Sequence, residues 1–270
     1  MSYYGFGIGI GQVKKAGTVS YDADAQAFFT AAGITDTTQK SAVNQLVLNL
    51  KSYNIWSKIK AVYPMVGGTS TTHKYNLKDP RDLDAAFRLS FSTGWTHSST
   101  GALPNGSSAF ANTFLSPSAF YSTNMHLSYY SRTQTVGTAI EIGADSISGS
   151  TNYSTLRIGV NSVFGQTTNG LVTYSSITDA RGHFLAQKVS NSSRRVFKNG
   201  SLNNSTTTTD SNPLPSVVLT IGALNDNGTL SFYSVKECAF ASIGDGLTDS
   251  EVANFYTSVQ AMQTTLSRNV

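Results

Sequence analysis

Residues 216–270 read SVVLTIGALNDNGTLSFYSVKECAFASIGDGLTDSEVANFYTSVQAMQTTLSRNV, and the order of signals in this stretch decides the fold: strand, turn, strand, long strand, terminal helix. Val217, Leu219 and Ile221 alternate with Val218 and Thr220 at the two-residue period of a pleated strand. The turn formers Asn225, Asp226, Asn227 and Gly228 tolerate positive φ, and a second strand pattern follows them at Leu230, Phe232 and Val235 to Ala241. Gly244 and Gly246 then break the strand. Thr248 is placed to cap the free amides of a helix, and Glu251, three residues on, completes a capping box. Val252, Phe255, Val259, Met262 and Leu266 recur at helical spacing, so that helix has one apolar face to bury, and the preceding sheet is the surface at hand.

Outward from this stretch, composition sets the class. A chain of 270 residues can build one large domain with a sizeable core plus a smaller appendage. Charged residues make up only 13% and aromatics 11%, and Gly, Ser, Thr and Asn crowd the region after residue 90, the mixture of an all-β protein with many turns. Aromatic and β-branched residues are plentiful enough to bury, which excludes a disordered chain. The net charge of +4 comes from few acids; the adjacent basic pairs are Lys14-Lys15 and Arg194-Arg195, and no basic patch interleaves with stacking aromatics, so no nucleic-acid partner is expected. The single cysteine, Cys238, excludes an internal disulfide and a cysteine-based zinc site, and its place in the Val235 to Ala241 run reads as a small buried hydrophobe. The amino terminus lacks the basic start and continuous apolar segment of a signal peptide, and no apolar run approaches the roughly 20 residues of a membrane span.

Read from its start, the chain opens with Tyr4, Phe6, Ile8 and Ile10 alternating with glycines. A phosphate-binding loop does not fit, because Gln12 stands where the dinucleotide fingerprint needs its third glycine and no Gly-Lys-Ser/Thr closes the run. The pattern suits an extended arm at residues 1–20, whose glycine face lets another backbone approach, or a simple flexible tail. Residues 21–66 read as a helical hairpin: Asp22 caps a short helix that Gly33 stops, and Thr35 or Asp36 starts a longer one carrying Val43, Leu46, Val47, Leu50 and Ile55, with Trp56, Ile59, Val62 and Tyr63 extending the apolar surface to Pro64. From residue 67 the texture changes. Phe87, Leu89 and Phe91 alternate as a strand, Trp95 to Gly106 reads as a polar loop, and short strands follow at 109–115, 125–132, 139–144, 156–160, 183–189 and 195–198. That spacing predicts a mainly β fold, an antiparallel sandwich or jelly roll spanning 67–270, with the helical hairpin before it and a helix at its end.

The strand Met125 to Arg132, the strand Gly182 to Ala186, the strand-turn Arg195 to Gly200 and the closing IGALNDNG and SFYSVKECAFASIGDGLTDSEVANFY, in that order, resemble the concanavalin A-like, laminin-G-like jelly-roll domain over about residues 70–265. Joined to the helical DADAQAFFTAAGITDTTQKSAVNQLV and to KYNLKDPRDLDAAFRL, the arrangement is similar to tail, fibre and head-surface proteins of tailed bacteriophages. The resemblance implies a virion structural protein: a surface-exposed decoration, fibre or tail component, assembled in the host cytoplasm, forming a homo-oligomer, held to other virion proteins through the arm and binding a host glycan or receptor. The alternatives it implies are a purely stabilising capsid decoration and a glycoside hydrolase of the same fold. About twenty residues precede the matched region, which favours a compact particle-attached protein over a long fibre.

The chemistry-bearing residues favour the non-enzymatic reading. Glucanases of this fold place carboxylates as Glu-x-Asp-x-x-Glu; here Glu141 has Gly143 and Ser146 or Ile147 in place of its partners and reads as one exposed acid at a strand edge. His73, His97, His126 and His183 are scattered with no i, i+4 pair to hold zinc, the last two on strands where one face is solvated or hydrogen-bonded, and there is no Gly-x-Ser-x-Gly elbow. No cofactor is expected; the resemblance brings calcium bound by loop oxygens, for which Asp145, Asn152, Asp179, Asn225, Asp226 and Asn227 are candidates that turn formation explains equally well. For a sugar, Trp95, His97 and Tyr174 are the candidates to stack or hydrogen-bond, with packing as the other reading of each.

Overall fold

The computed structural model describes residues 1–2, 20–120, 124–146, 153–159, 163–164, 172–175, 177–209 and 214–270. The arm residues Tyr4, Phe6, Ile8 and Ile10 and the calcium candidate Asn152 lie outside them. Along the chain run α1 (Ala23–Ala32), α2 (Thr37–Ser52), β1 (Ile59–Tyr63), α3 (Ser70–His73), β2 (Ser90–Phe91), β3 (Trp95–Ser98), β4 (Gly101–Pro104), β5 (Ala111–Asn112), α4 (Pro117–Phe120) and β6 (Met125–Ser131). There follow β7 (Ile142–Asp145), β8 (Tyr153–Leu156), β9 (Val163–Phe164), β10 (Val172–Thr173), β11 (Gly182–Ser190), β12 (Ser193–Lys198), β13 (Ser201–Thr206), β14 (Thr220–Ile221), β15 (Leu224–Asp226), β16 (Thr229–Ser231), β17 (Cys238–Gly244) and α5 (Asp249–Thr265).

The chain is mainly β, a sandwich of two sheets. One has the order β13-β12-β11-β6-β17-β4-β3 with β1 added on β17; the other has the order β16-β15-β7-β14-β5-β2 with β8 added on β7. Among the described residues, pairing is antiparallel except for β15 against β7. Alternation along the first sheet sends its side chains to two cores. Leu127, Tyr129, Phe184, Ala186, Val196, Ala241 and Ile243 point at the second sheet, where Ile142, Ala144, Leu156, Leu219 and Ile221 meet them. Tyr130, Leu185, Phe197 and Phe240 point the other way into a second apolar cluster filled by α1, α2 and α5. The molecule thus has three layers, with helices on the outer face of the first sheet.

The helix boundaries follow the capping residues. Asp22 accepts from the Asp24 amide at 3.0 Å and Gly33 closes α1 at φ +67°; Asp36 accepts from Gln39 at 2.8 Å. Thr248 and Glu251 form the reciprocal capping box at α5, whose Val252, Phe255, Val259 and Met262 are buried.

Several expectations are corrected. The apolar stretch after Ile55 is not helix: α2 ends at Ser52, and Ile59–Tyr63 is a strand paired with β17. The 21–66 segment therefore supplies a strand to the sandwich as well as two helices, because the open edge of β17 offers unpaired backbone groups that outweigh helical spacing. The Trp95 to Gly106 stretch is no loop but contains the β3–β4 hairpin, which reads as polar because β3 is an edge strand. Gly101 is required there: at φ +153°, a Cβ would sit 2.4 Å from the Cys238 carbonyl oxygen. Phe87 is not in a strand; it takes φ +58°, and its carbonyl accepts from the Tyr63 hydroxyl at 2.6 Å.

Arg268 locks the end of the chain. Its buried guanidinium donates to Gln263 Oε1 at 2.5 Å and to the carbonyls of Met65 at 2.7 Å, Pro64 at 2.6 Å and Ala239 at 2.8 Å. Burial lowers its pKa to about 9. Replacing Arg268 by Ala strands these acceptors and is expected to cost about 3 kcal/mol or more in urea unfolding.

Three histidines are buried. His126 donates through Nδ1 to the Asp245 carbonyl at 2.6 Å, leaving Nε2 to accept from Ser242 Oγ at 3.0 Å. His183 is neither solvated nor hydrogen-bonded, contrary to the strand-face expectation: both ring nitrogens lack a partner, and Phe240, Phe255 and Tyr256 surround the ring. Burial pushes His73 and His183 down to about 3 and His126 down to about 4. Because the folded values lie below the ordinary histidine pKa of about 6.5, stability is complete above that pH and is lost as pH falls toward 4. The urea midpoint is expected to drop between pH 7 and 4.5, and His183→Leu to flatten that slope.

Candidate functional site

Among the clefts on the described surface, two are candidate sites. The larger, about 510 Å³, lies at the start of α5 among Lys58, Asn124, Val189, Arg195 and residues 246–250. Its charges are paired: Lys58 Nζ meets both Glu251 carboxylate oxygens at 2.7 Å, and Arg195 meets Asp249. Among the described residues its lining includes no aromatic ring.

The smaller cleft, about 210 Å³, is lined by Ser70, Thr71, Lys74, Arg88, Leu89, Ser90 and Phe91. Its shape starts with α3, where Thr69 and Thr72 form a capping box and His73 ends the helix facing β3. The Gly68 amide donates to His73 Nε2 at 3.2 Å, so the neutral ring carries its proton on Nδ1 and donates it to His97 Nδ1 at 2.9 Å. Burial lowers the pKa of both rings, which keeps this pair neutral near pH 7. His97 then meets Phe91 edge to face, with ring centroids 4.6 Å apart, and Trp95 meets it at 5.3 Å. Phe91 is held as a half-buried wall of the cleft by rings on the neighbouring hairpin.

Hydroxyls and two cations share this lining with the ring. Lys74 Nζ contacts Asp82 Oδ2 at 2.5 Å, and Arg88 contacts Asp82 Oδ1 at 3.2 Å and Asp84 Oδ1 at 2.8 Å. The hydrogen bond from Lys74 holds the Asp82 carboxyl below its usual range. An apolar ring, hydroxyl groups and cations around a small open cleft can hold a sugar ring by one face while pairing its oxygens.

The structure brings together two of the three predicted sugar contacts. Trp95 and His97 lie side by side, with centroids 6.3 Å apart, but both support Phe91: the Trp95 indole N–H is taken by the Phe110 carbonyl at 3.0 Å and its ring packs on Gly222. Tyr174 is corrected to a core residue: it is 3% exposed, its hydroxyl donates to the Leu185 carbonyl at 2.9 Å, and its ring packs on Phe184. Sequence reasoning missed Phe91, Lys74 and Arg88. Phe91 was legible as part of an alternating run that also holds Arg88, but Lys74 lies seventeen residues before Phe91, and neither cation carried a local signal of binding.

Of the calcium candidates, Asp145, Asn225, Asp226 and Asn227 share one corner: Asp226 faces Asp145 across β15 and β7, and the Asn227 amide donates to the Asp145 carbonyl at 2.7 Å. The Asn225 side chain is used within the turn, donating to the Val218 carbonyl and accepting from the Gly228 amide. Asp179 is held by Arg181, whose hydrogen bond keeps its carboxyl down at about 2. Among the described residues no group of three or more His, Cys, Asp or Glu could hold a metal ion.

Glu141 is also corrected. It is not an exposed acid but fully buried, with Oε1 accepting from Lys236 Nζ at 3.0 Å and Ser234 Oγ at 3.2 Å, and Oε2 from the Ile158 amide at 2.5 Å. Burial raises its pKa against the pull of Lys236.

No family model matches the chain, and no curated protein matches it. Among solved structures it is similar to domain 4 of AbnA, a GH43 extracellular arabinanase from Geobacillus stearothermophilus seen with arabinotriose, at 13% identity over 73% of this chain and 98% of that one, with a TM-score of 0.46. It is similar to botulinum neurotoxin type C, whose cell entry depends on two ganglioside molecules, at 9% identity over 77% and 52% of the chains and a TM-score of 0.47. It is similar also to the NanB sialidase of Streptococcus pneumoniae, at 16% identity and a TM-score of 0.38, over 52% of this chain and 25% of that chain's length.

Removing one partner of the buried pair leaves the other charge unmatched. Lys236→Met is expected to cost roughly 3–5 kcal/mol in urea unfolding, and adding Glu141→Leu to restore most of it.

Proposed function

We propose that this chain is a non-enzymatic glycan-binding protein carried on the surface of a bacteriophage particle. The observation that supports glycan binding is the Phe91 cleft, where a ring braced by His97 and Trp95 shares the lining with the hydroxyls of Ser70, Thr71 and Ser90. The particle reading rests on the resemblance of the chain's ordered motifs to tail, fibre and head-surface proteins, with the 1–20 arm as the attachment to other virion proteins. A shallow site of this size binds weakly, and several copies on one particle would raise the effective concentration enough for adhesion. The hydrolase alternative loses its carboxylate, since Glu141 is buried and paired with Lys236.

The test is retention of the full chain, coated on beads, by an array of bacterial polysaccharides and simpler glycans. Wild-type beads are expected to be retained and Phe91→Ala beads to lose at least roughly tenfold in retention, with folding checked by circular dichroism. No retained glycan would leave only the stabilising decoration. Deleting residues 1–17 is expected to abolish incorporation into particles; unchanged incorporation removes the arm's role.

A further inference from the structure

The cations of the Phe91 cleft bear on what kind of sugar it holds. Lys74 and Arg88 line the cleft, and among the described residues no carboxylate does. They already converge on one carboxylate, that of Asp82, with Lys74 on Oδ2 at 2.5 Å and Arg88 on Oδ1 at 3.2 Å. Their spacing is therefore one that a single carboxylate can bridge. The contacts to Asp82 and Asp84 occupy one ammonium N–H of Lys74 and two guanidinium N–H groups of Arg88, so each residue keeps further donors.

We infer that the cleft is selective for acidic saccharides, sugars bearing a carboxylate or sulfate placed between Lys74 and Arg88 while the ring lies against Phe91. This rests on the glycan-binding reading of the same cleft and narrows it. Asp82 and Asp84 balance the two cations in net charge, so a long-range field does not select the ligand. Selection comes from short charge-assisted hydrogen bonds, which a neutral hydroxyl makes only in weaker form. Leu89 and Phe91 add apolar surface to the same lining. A free anion would meet the same cations, but it would gain nothing from the ring.

The experiment measures the full chain on an array of matched neutral, carboxylated and sulfated glycans, with methyl glucuronide, methyl glucoside, glucose 6-sulfate and inorganic sulfate as competitors. Expected are hits confined to acidic glycans, displacement by methyl glucuronide and glucose 6-sulfate at least roughly tenfold better than by methyl glucoside, and weakening with added salt. Arg88→Gln and Lys74→Gln, which alter partly exposed side chains, are each expected to lose roughly tenfold in retention. Equal retention of neutral and acidic glycans, or unchanged retention by both variants, overturns acid selectivity and leaves glycan binding standing. Displacement by inorganic sulfate as effective as by the sulfated sugar, with Phe91→Ala unchanged, reduces the site to an anion contact. No retained glycan overturns both readings.

Discussion

Strand β17 is the seam on which the rest of the structure depends. One of its edges pairs with β6 from Cys238 to Gly244, and the other is shared by β1 at 241–244 and β4 at Cys238. All seven of its residues are buried. A register shift between Cys238 and Phe240 changes the facing, so that Cys238, Ala241 and Ile243 fill the core between the sheets while Ala239 and Phe240 fill the core beneath the helices. One strand thus joins three layers, and Arg268 fastens the end of the chain to its Ala239 carbonyl. Burial also raises the Cys238 thiol to about 12, which leaves it unreactive at neutral pH.

The helical layer decides where a ligand can meet the protein. Because α1, α2 and α5 cover the outer face of the first sheet, the sheet surface there is core, and binding is left to its margins. The β3–β4 hairpin is such a margin, and the α3 loop packs beside it through the His73–His97 hydrogen bond. Phe91 owes its place to that bond and to Trp95, so a packing feature and a binding feature are one arrangement.

Buried polar groups carry much of the specificity of the fold. Arg268 has four neutral acceptors, Glu141 is matched by Lys236, and His126 sits in a hydrogen-bonded row with Ser242 and Ser128. Each is satisfied only in this packing, so loss of any one costs more than its contacts are worth. His183, by contrast, is held without a polar partner by aromatic rings, and it makes the interface of α5 with the first sheet sensitive to acid.

What the sequence determined by itself is local. The caps at Asp22, Asp36 and Thr248, the stop at Gly33, the strands at 125–131 and 182–190 and the buried state of Cys238 all follow from residues near one another in the chain, because backbone groups at helix ends and alternating side chains meet their partners locally. What only the tertiary structure decided depends on distant partners. Ile59–Tyr63 became a strand because β17 had an open edge, Glu141 became a buried ion because Lys236 reached it, and Tyr174 became core because the Leu185 carbonyl accepted its hydroxyl. The candidate site belongs to this second group. Trp95 and His97 were visible as polar-tipped rings in one stretch, but the wall at Phe91 and the cations Lys74 and Arg88 join them only when the 69–91 loop folds against the β3–β4 hairpin, and no spacing along the chain encodes that meeting.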